Sequence, residues 1–177
     1  MDRLVHYLKR INQGVAVVAG LALLAGVLLI CAEIVLRACK VPFTGSDEIS
    51  GYLMAAISSW GLSYGLLTKA HVRIDILRNQ APKALRAVFD LLAIMSLSYV
   101  AIFVATKVET VVAKTGLAHS LANTALATPL IIPQSIWFAG WVWLAISSSI
   151  LSIYGIYLVC TKQFTKLDDV IGTESEV

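Results

Sequence analysis

Charged residues are what this sequence has least of. Only 14% of its 177 residues are Asp, Glu, Lys or Arg, whereas 58% are hydrophobic, and the mean hydropathy is +0.81. Soluble globular chains are about a quarter charged, so the composition excludes a soluble domain and predicts an integral membrane protein. The net charge of +3 comes without a basic stripe interleaved with aromatic residues, and no nucleic-acid partner is expected.

The sequence also lacks the patterns of common catalytic and cofactor sites. Cys31, Cys39 and Cys160 form neither a CxxC pair nor a zinc-binding spacing, which argues against a thiol-redox enzyme. There is no GxxxxGK[ST] phosphate loop. None of the three histidines falls within an apolar run, so a membrane haem would have no paired ligands. We therefore expect no enzymatic activity, no cofactor and no metal site.

Stretches without any charged residue locate the membrane spans. They are Ile11–Ala32, Ile49–Thr68, Leu91–Thr106 and Thr115–Thr161. A helix needs about 20 residues to cross roughly 30 Å of hydrocarbon, and its backbone polar groups must be satisfied internally. The sequence therefore predicts an all-α integral membrane domain over residues 1–166, with transmembrane helices near 13–36, 47–68, 85–107 and 134–160. The acidic tail, 167–177, lacks a periodic apolar pattern and is predicted to be disordered.

The distribution of Lys and Arg predicts the orientation in the membrane. Ten basic residues lie at the N-terminus, in the second connection and in the tail, against four on the alternate side. Cytoplasmic loops carry the excess of basic residues, so both termini and the connection LTKAHVRIDIL (Leu67–Leu77) are predicted to be cytoplasmic. Basic side chains of this region are interpreted as anchors at the headgroups of membrane lipids: Arg73, Arg78, Lys83 and Arg86.

Ionisable groups are missing from the middle of every predicted span. Glu33 comes closest, but Arg37 follows one turn later in a favourable order for an ion pair. Membrane proteins that move ions or protons usually carry ionisable groups in the bilayer. The chain is therefore interpreted as a scaffold. The alternative is a stand-alone, proton-coupled exporter that uses Glu33.

Small residues recur along the second predicted helix. Gly51, Ala55, Ser59 and Ser63 are four residues apart, and Trp60 lies mid-span. Small residues let helices approach closely in lipid, where the hydrophobic effect does not draw helices together. The stripe and Trp60 are predicted to form a subunit interface, with packing inside the chain as the alternative.

One motif resembles a known family. Glu48 opens the second helix, Gly65 lies near its end, and a basic residue, Lys69, precedes the HVxxD pattern of His71 and Asp75. This pattern is similar to that of the small membrane subunit, often called Q, of tripartite ATP-independent periplasmic (TRAP) transporters. The four-span layout and the length also fit, so the resemblance covers nearly the whole chain. The tryptophan that often precedes the acidic residue is missing here.

The resemblance implies both a function and its partners. TRAP systems import organic acids, such as C4-dicarboxylates and sialic acids, through the bacterial inner membrane with sodium. The partners it implies are a large membrane subunit, which carries the solute, and a periplasmic solute-binding protein. The small subunit would bind the large one and widen its scaffold.

The HVxxD loop allows two structural interpretations. In one, Asp75 caps a short interfacial helix running to Gln80, and Pro82 opens the third span. His71 and Asp75 then set the angle between the second and third helices. In the other, the charges of the loop only hold it at the headgroups.

Overall fold

The computed structural model describes residues 2–41, 45–70, 82–124 and 126–171. These residues form five helices: α1 (Asp2–Ala38), α2 (Ser46–Leu67), α3 (Lys83–Leu117), α4 (Ile131–Cys160) and α5 (Phe164–Val170). Within the described ranges there is no β-strand, and one isolated bridge joins Leu121 to Pro129. The predicted all-α class is confirmed.

Three helices of the described chain are long and apolar enough to cross a membrane. Their spans are Arg3–Ala38, Ala84–Leu117 and Ile131–Cys160. Helix α2, the second predicted span, is not in this group, because five serines and three glycines dilute the apolar character of its 22 residues. Three of the four predicted spans are thus supported, and the fourth stays a prediction.

The helices lie side by side in the order α1, α2, α4, α3. Helix α2 packs against α1 and α4, α4 packs against α3, and the short α5 contacts both α3 and α4. Helix α4 is the most enclosed: 44% of its most apolar window is buried, against 6% for the window of α1. The outer helices therefore present broad apolar faces, as expected of helices surrounded by lipid or by another membrane subunit.

Small side chains and hydroxyl pairs join the helices of this row. The Ser63 hydroxyl donates to Ser147 on α4 at 3.2 Å, and the Ser98 and Ser149 hydroxyls are 3.1 Å apart across the α3–α4 contact. The Ser152 hydroxyl donates to the backbone carbonyl of Ile94 at 3.2 Å. Interhelical hydrogen bonds and close packing are the forces that hold helices together in lipid.

Each of the four long helices ends in the same way. A residue with left-handed backbone follows the last turn, and it is basic or histidine in every case: Lys40, Lys69, His119 and Lys162. The left-handed conformation costs about 1–2 kcal/mol in a residue other than glycine. A cation beside the carbonyl end of a helix offsets part of this cost through the helix dipole.

Three helices extend beyond their predicted boundaries. Helix α1 begins at Asp2 rather than near 13, α3 continues to Leu117 rather than 107, and α4 begins at Ile131 rather than 134. The charged residues that end an apolar run, such as Lys107, are good helix formers. They mark where the membrane ends, and the helix continues past them.

The prediction of disorder from residue 167 was wrong for residues 167–171. Leu167 and Ile171 are 1% and 3% exposed and belong to the core. Ile171 lies so close to Gly155 on α4 that a β-carbon there would be 2.8 Å from its Cδ1 atom. Apolar residues three or four positions apart give α5 a buried face, which the acidic composition of the tail concealed. Residues 172–177 lie outside the described residues.

Gly140→Ala should destabilise the protein. A β-carbon on Gly140 would be 2.7 Å from the Ser59 β-carbon and 3.0 Å from the Ser59 backbone carbonyl carbon, which cannot easily move. Overpacking of this kind costs about 1–3 kcal/mol. The melting temperature of the purified chain in detergent should therefore fall.

Gly20→Ala is the matched control, because nothing lies within 4 Å of a β-carbon at Gly20 on α1. This variant should melt at or slightly above the wild-type temperature, since alanine is up to about 1 kcal/mol better than glycine in a helix. Ser59→Gly should partly rescue Gly140→Ala. A Gly140→Ala protein as stable as the wild type would show that α2 and α4 are less closely packed than described.

Candidate functional site

Glu48 ties the start of α2 to the connection between α3 and α4. It lies in the first turn of α2, where the helix dipole favours a carboxylate. One of its oxygens accepts a hydrogen bond from the Tyr52 hydroxyl at 2.7 Å, and the other accepts one from the Thr124 hydroxyl. Both carboxylate oxygens are thus occupied by neutral donors, which suits structural anchoring better than proton transfer.

Gly45, the residue directly before α2, lies against the same connection. Its φ of +115° lies in a region that favours glycine, and a β-carbon there would be 2.7 Å from the Leu126 side chain. Leu126 can therefore lie across the start of α2. The connection itself is a narrow loop, since the Ala122 amide donates to the Thr128 carbonyl at 2.9 Å.

The motif residues at the far end of α2 form a helix terminus. The Ala70 amide donates to the Gly65 carbonyl at 2.9 Å, and the Lys69 amide donates to the Leu66 carbonyl at 3.3 Å. This pair of bonds, with Lys69 at φ 59°, is the Schellman arrangement. Glu48 and Lys69 are about 30 Å apart along the helix axis, so the structure does not bring the motif together into one site.

The remaining motif and anchor residues are described only in part. His71, Asp75, Arg73 and Arg78 lie outside the described residues, as does the predicted interfacial helix. The backbone of Lys83 begins α3, and Arg86 is half-buried one turn later on the same helix.

The small-residue stripe divides into two parts with different environments. Ser59 and Ser63 are 1% and 0% exposed, and they face Gly140 and Ser147 of α4. Their placement favours the alternative for these two residues, packing inside the chain, because the close approach that small residues allow is used there. Gly51 and Ala55, nearer the start of α2, are exposed.

Trp60 also contacts α4. Its indole N–H donates to the Ile136 carbonyl at 3.0 Å, so the deep tryptophan finds its acceptor within the chain. One side of the ring lines an apolar cavity of about 590 Å³ between α1 and α2. The Trp60 indole therefore needs no acceptor from a partner subunit, and its predicted role in a subunit interface stays a prediction.

Glu33 forms the predicted ion pair. Its carboxylate oxygen lies 2.5 Å from an Arg37 guanidinium nitrogen, one turn further along α1. The carboxylate is largely buried and the arginine is exposed. The pair is at the end of α1, so Glu33 is held by a neighbour in its own helix.

Asn12 is the polar contact that the sequence analysis missed. It is fully buried near the start of α1, its side-chain amide donates to the Leu8 carbonyl at 2.9 Å, and its oxygen accepts from the Trp143 indole at 3.2 Å. The contact joins α1 to α4. An amide at the edge of an apolar run is the only sequence signal, and it does not identify the partner.

No group of three or more His, Cys, Asp or Glu side chains among the described residues is arranged to hold a metal ion. The polar contacts that the structure describes between helices are mostly neutral hydroxyl, amide and indole groups. They can fix helix positions, and they do not form a relay of ionisable groups.

Glu48→Ala should release the loop between α3 and α4. Both hydroxyl contacts disappear, whereas α2 keeps its neighbours in the membrane. Hydrogen exchange of the amides of residues 118–130 should accelerate several-fold, because exchange reports local opening, while the central residues of α4 should stay protected. Asp47→Ala is the matched control, since Asp47 is an exposed acid in the same helical turn. Equal acceleration in both variants would assign the effect to helix charge and not to the Glu48 contacts.

Comparison with known families supplies a direct match. The family model described as "Tripartite ATP-independent periplasmic transporters, DctQ component" matches residues 26–157, about three quarters of the chain. The matched range includes α2 and α3 and most of α4. Neither the curated proteins nor the solved structures give a significant match.

Proposed function

The chain belongs to the family of DctQ components of tripartite ATP-independent periplasmic (TRAP) transporters, and on this premise we propose that it acts as a scaffold for a large membrane subunit. As the small membrane component of a transporter, it is not an enzyme. In this proposal the large subunit carries the solute, and a periplasmic binding protein delivers it. The solute is an organic acid, and sodium drives its uptake across the bacterial inner membrane.

The observation that carries the proposal is the chemistry of the contacts between helices. Interhelical hydrogen bonds of the described residues pair serine with serine, serine or tryptophan with a backbone carbonyl, and asparagine with tryptophan. Proton-coupled transport needs groups that change charge within the membrane. Neutral, mutually satisfied groups instead hold helices at set distances, which is what a scaffold requires.

The proposed topology has four spans with both termini in the cytoplasm. The hydroxyl and tryptophan contacts support a crossing by α2, because they would satisfy its polar side chains inside the membrane. With the basic N-terminus inside, the loop held by Glu48 faces the periplasm and Lys69 faces the cytoplasm. The charged second connection then lies at the inner membrane surface, and His71 and Asp75 are proposed to act there through loop geometry.

The proposed contact with the large subunit lies on the exposed part of the stripe. Gly51 and Ala55 are exposed one turn apart on α2. Because their side chains are small, a partner helix can approach the backbone of α2 closely there. Ser59 and Ser63 no longer belong to this interface, because α4 occupies them.

The chain alone should transport nothing. Liposomes that contain only this chain should show no sodium-driven uptake of an organic acid, whereas the chain with its large subunit and binding protein should. Glu33→Gln should leave uptake by the complete system unchanged, since the Arg37 pair occupies that carboxylate. Sodium-driven uptake by the chain alone would refute the scaffold, and proton-driven transport by the chain alone, abolished by Glu33→Gln, would establish the exporter alternative.

Ala55→Leu should weaken association with the large subunit. The bulkier side chain would hold a partner helix away, so co-purification of the large subunit should decrease several-fold. Ala113→Leu is the control, because Ala113 is exposed on α3 at the opposite edge of the row. Both variants should melt like the wild-type chain. Undiminished co-purification with Ala55→Leu would place the interface elsewhere.

A further inference from the structure

A polar cavity lies between the beginning of α1 and the end of α2. Its volume is about 430 Å³, and the side chains that line it include Lys9, Gln13, Tyr64, Thr68 and Lys69. Two ammonium groups from distant parts of the sequence therefore border one cavity. Among the described residues that line it there is no carboxylate.

The floor of the cavity is formed by two buried residues. Asn12 is fully buried there, held by its bonds to the Leu8 carbonyl and the Trp143 indole, and Leu67 is 5% exposed. These contacts set the position of α1 relative to α2 and α4. Buried groups thus fix the backbone positions of Lys9 and Lys69, while the Lys9 side chain is exposed and the Lys69 side chain is half-buried.

The cavity lies where the apolar runs of both helices end. The charge-free run of α1 begins at Ile11, directly after Lys9 and Arg10, and that of α2 ends at Thr68, directly before Lys69. In a membrane protein this boundary is the level of the lipid headgroups. An anion that reaches the cavity from the bilayer would arrive with its acyl chains already beside the apolar face of α1.

The backbone of Lys69 does not by itself indicate a ligand. Lys40 and Lys162 have the same left-handed conformation after their helices, which the helix dipole accounts for. What distinguishes Lys69 is the second lysine on the same cavity, together with the Tyr64 hydroxyl; the Thr68 hydroxyl donates to the Tyr64 carbonyl at 2.9 Å. Ammonium and hydroxyl donors around one space are suited to the oxygens of a phosphate group.

We propose that this cavity binds the phosphate group of an anionic phospholipid from the surrounding bilayer. Lys9 and Lys69 supply the charge, and Tyr64 and Gln13 supply neutral donors. Because, among the described helices, α1 has extensive contacts with α2 alone, a lipid held between their ends would also fasten α1 to the protein. The site depends on the membrane location of the chain and is independent of the proposed contact with the large subunit.

The test is native mass spectrometry of the full-length chain in detergent, titrated with phosphatidylglycerol or with phosphatidylcholine of the same acyl chains. The wild-type chain should retain phosphatidylglycerol more tightly. The double variant Lys9→Gln, Lys69→Gln should bind it about 30-fold more weakly, since each basic residue near an anionic lipid contributes about 1 kcal/mol. Lys9→Arg with Lys69→Arg should bind within about threefold of the wild type, and it also shows whether charge loss or misfolding causes the effect.

Lys162→Gln with Lys166→Gln is the matched control. It removes the same charge from exposed residues, and Lys162 shares the backbone conformation of Lys69. An equal loss in this control would show that general surface charge attracts the lipid, and the proposed site would be wrong. Equal retention of both lipids by the wild type would also overturn it.

Inorganic phosphate separates the lipid from a free anion. Phosphate at millimolar concentration should not displace phosphatidylglycerol, because it lacks the acyl chains that hold the lipid beside α1. Displacement would assign the cavity to a soluble anion and refute the lipid. Since the chain is measured by itself, neither result bears on the proposed scaffold function.

Discussion

The close approach of α2 and α4 at Ser59 and Gly140 is the contact on which the row of helices depends. In lipid, an apolar helix face gains little by turning from the bilayer to another helix. Only packing and hydrogen bonding remain, and both require backbones that come near each other. The two backbones come near each other where Gly140 meets Ser59. One turn further along α2, the Ser63 hydroxyl donates to Ser147 at 3.2 Å.

Two further contacts complete this arrangement. At the start of α2, Glu48 and Gly45 hold the loop between α3 and α4, and Asn12 of α1 meets Trp143, which lies between Gly140 and Ser147 on α4. The pairs α1–α2 and α3–α4 are thereby joined both at the start of α2 and in the middle of the row. Each of these contacts holds a helix or a loop in position.

Sequence reasoning succeeded where composition and periodicity suffice and failed where a partner had to be known. Apolar runs located the helices, and the Glu33–Arg37 pair followed from a spacing of four residues. The predicted start of α1 and the predicted end of α3 were misplaced, because charged residues mark the edge of the membrane but do not end a helix. Leu167 and Ile171 were assigned to a disordered tail, since an apolar face of one or two turns is too short to stand out among acidic neighbours.

The small-residue stripe on α2 shows most clearly what the sequence alone cannot determine. Its four residues are equivalent in sequence, yet α4 covers Ser59 and Ser63 and leaves Gly51 and Ala55 exposed. The sequence by itself determined the membrane class, the helical content, the family and the lack of charged residues in the middle of each predicted span, because these follow from residue type and local spacing. Only the tertiary structure decided which small residues are buried, which loop Glu48 holds and that Lys9 lies near Lys69, because each depends on helices far apart in the chain becoming neighbours.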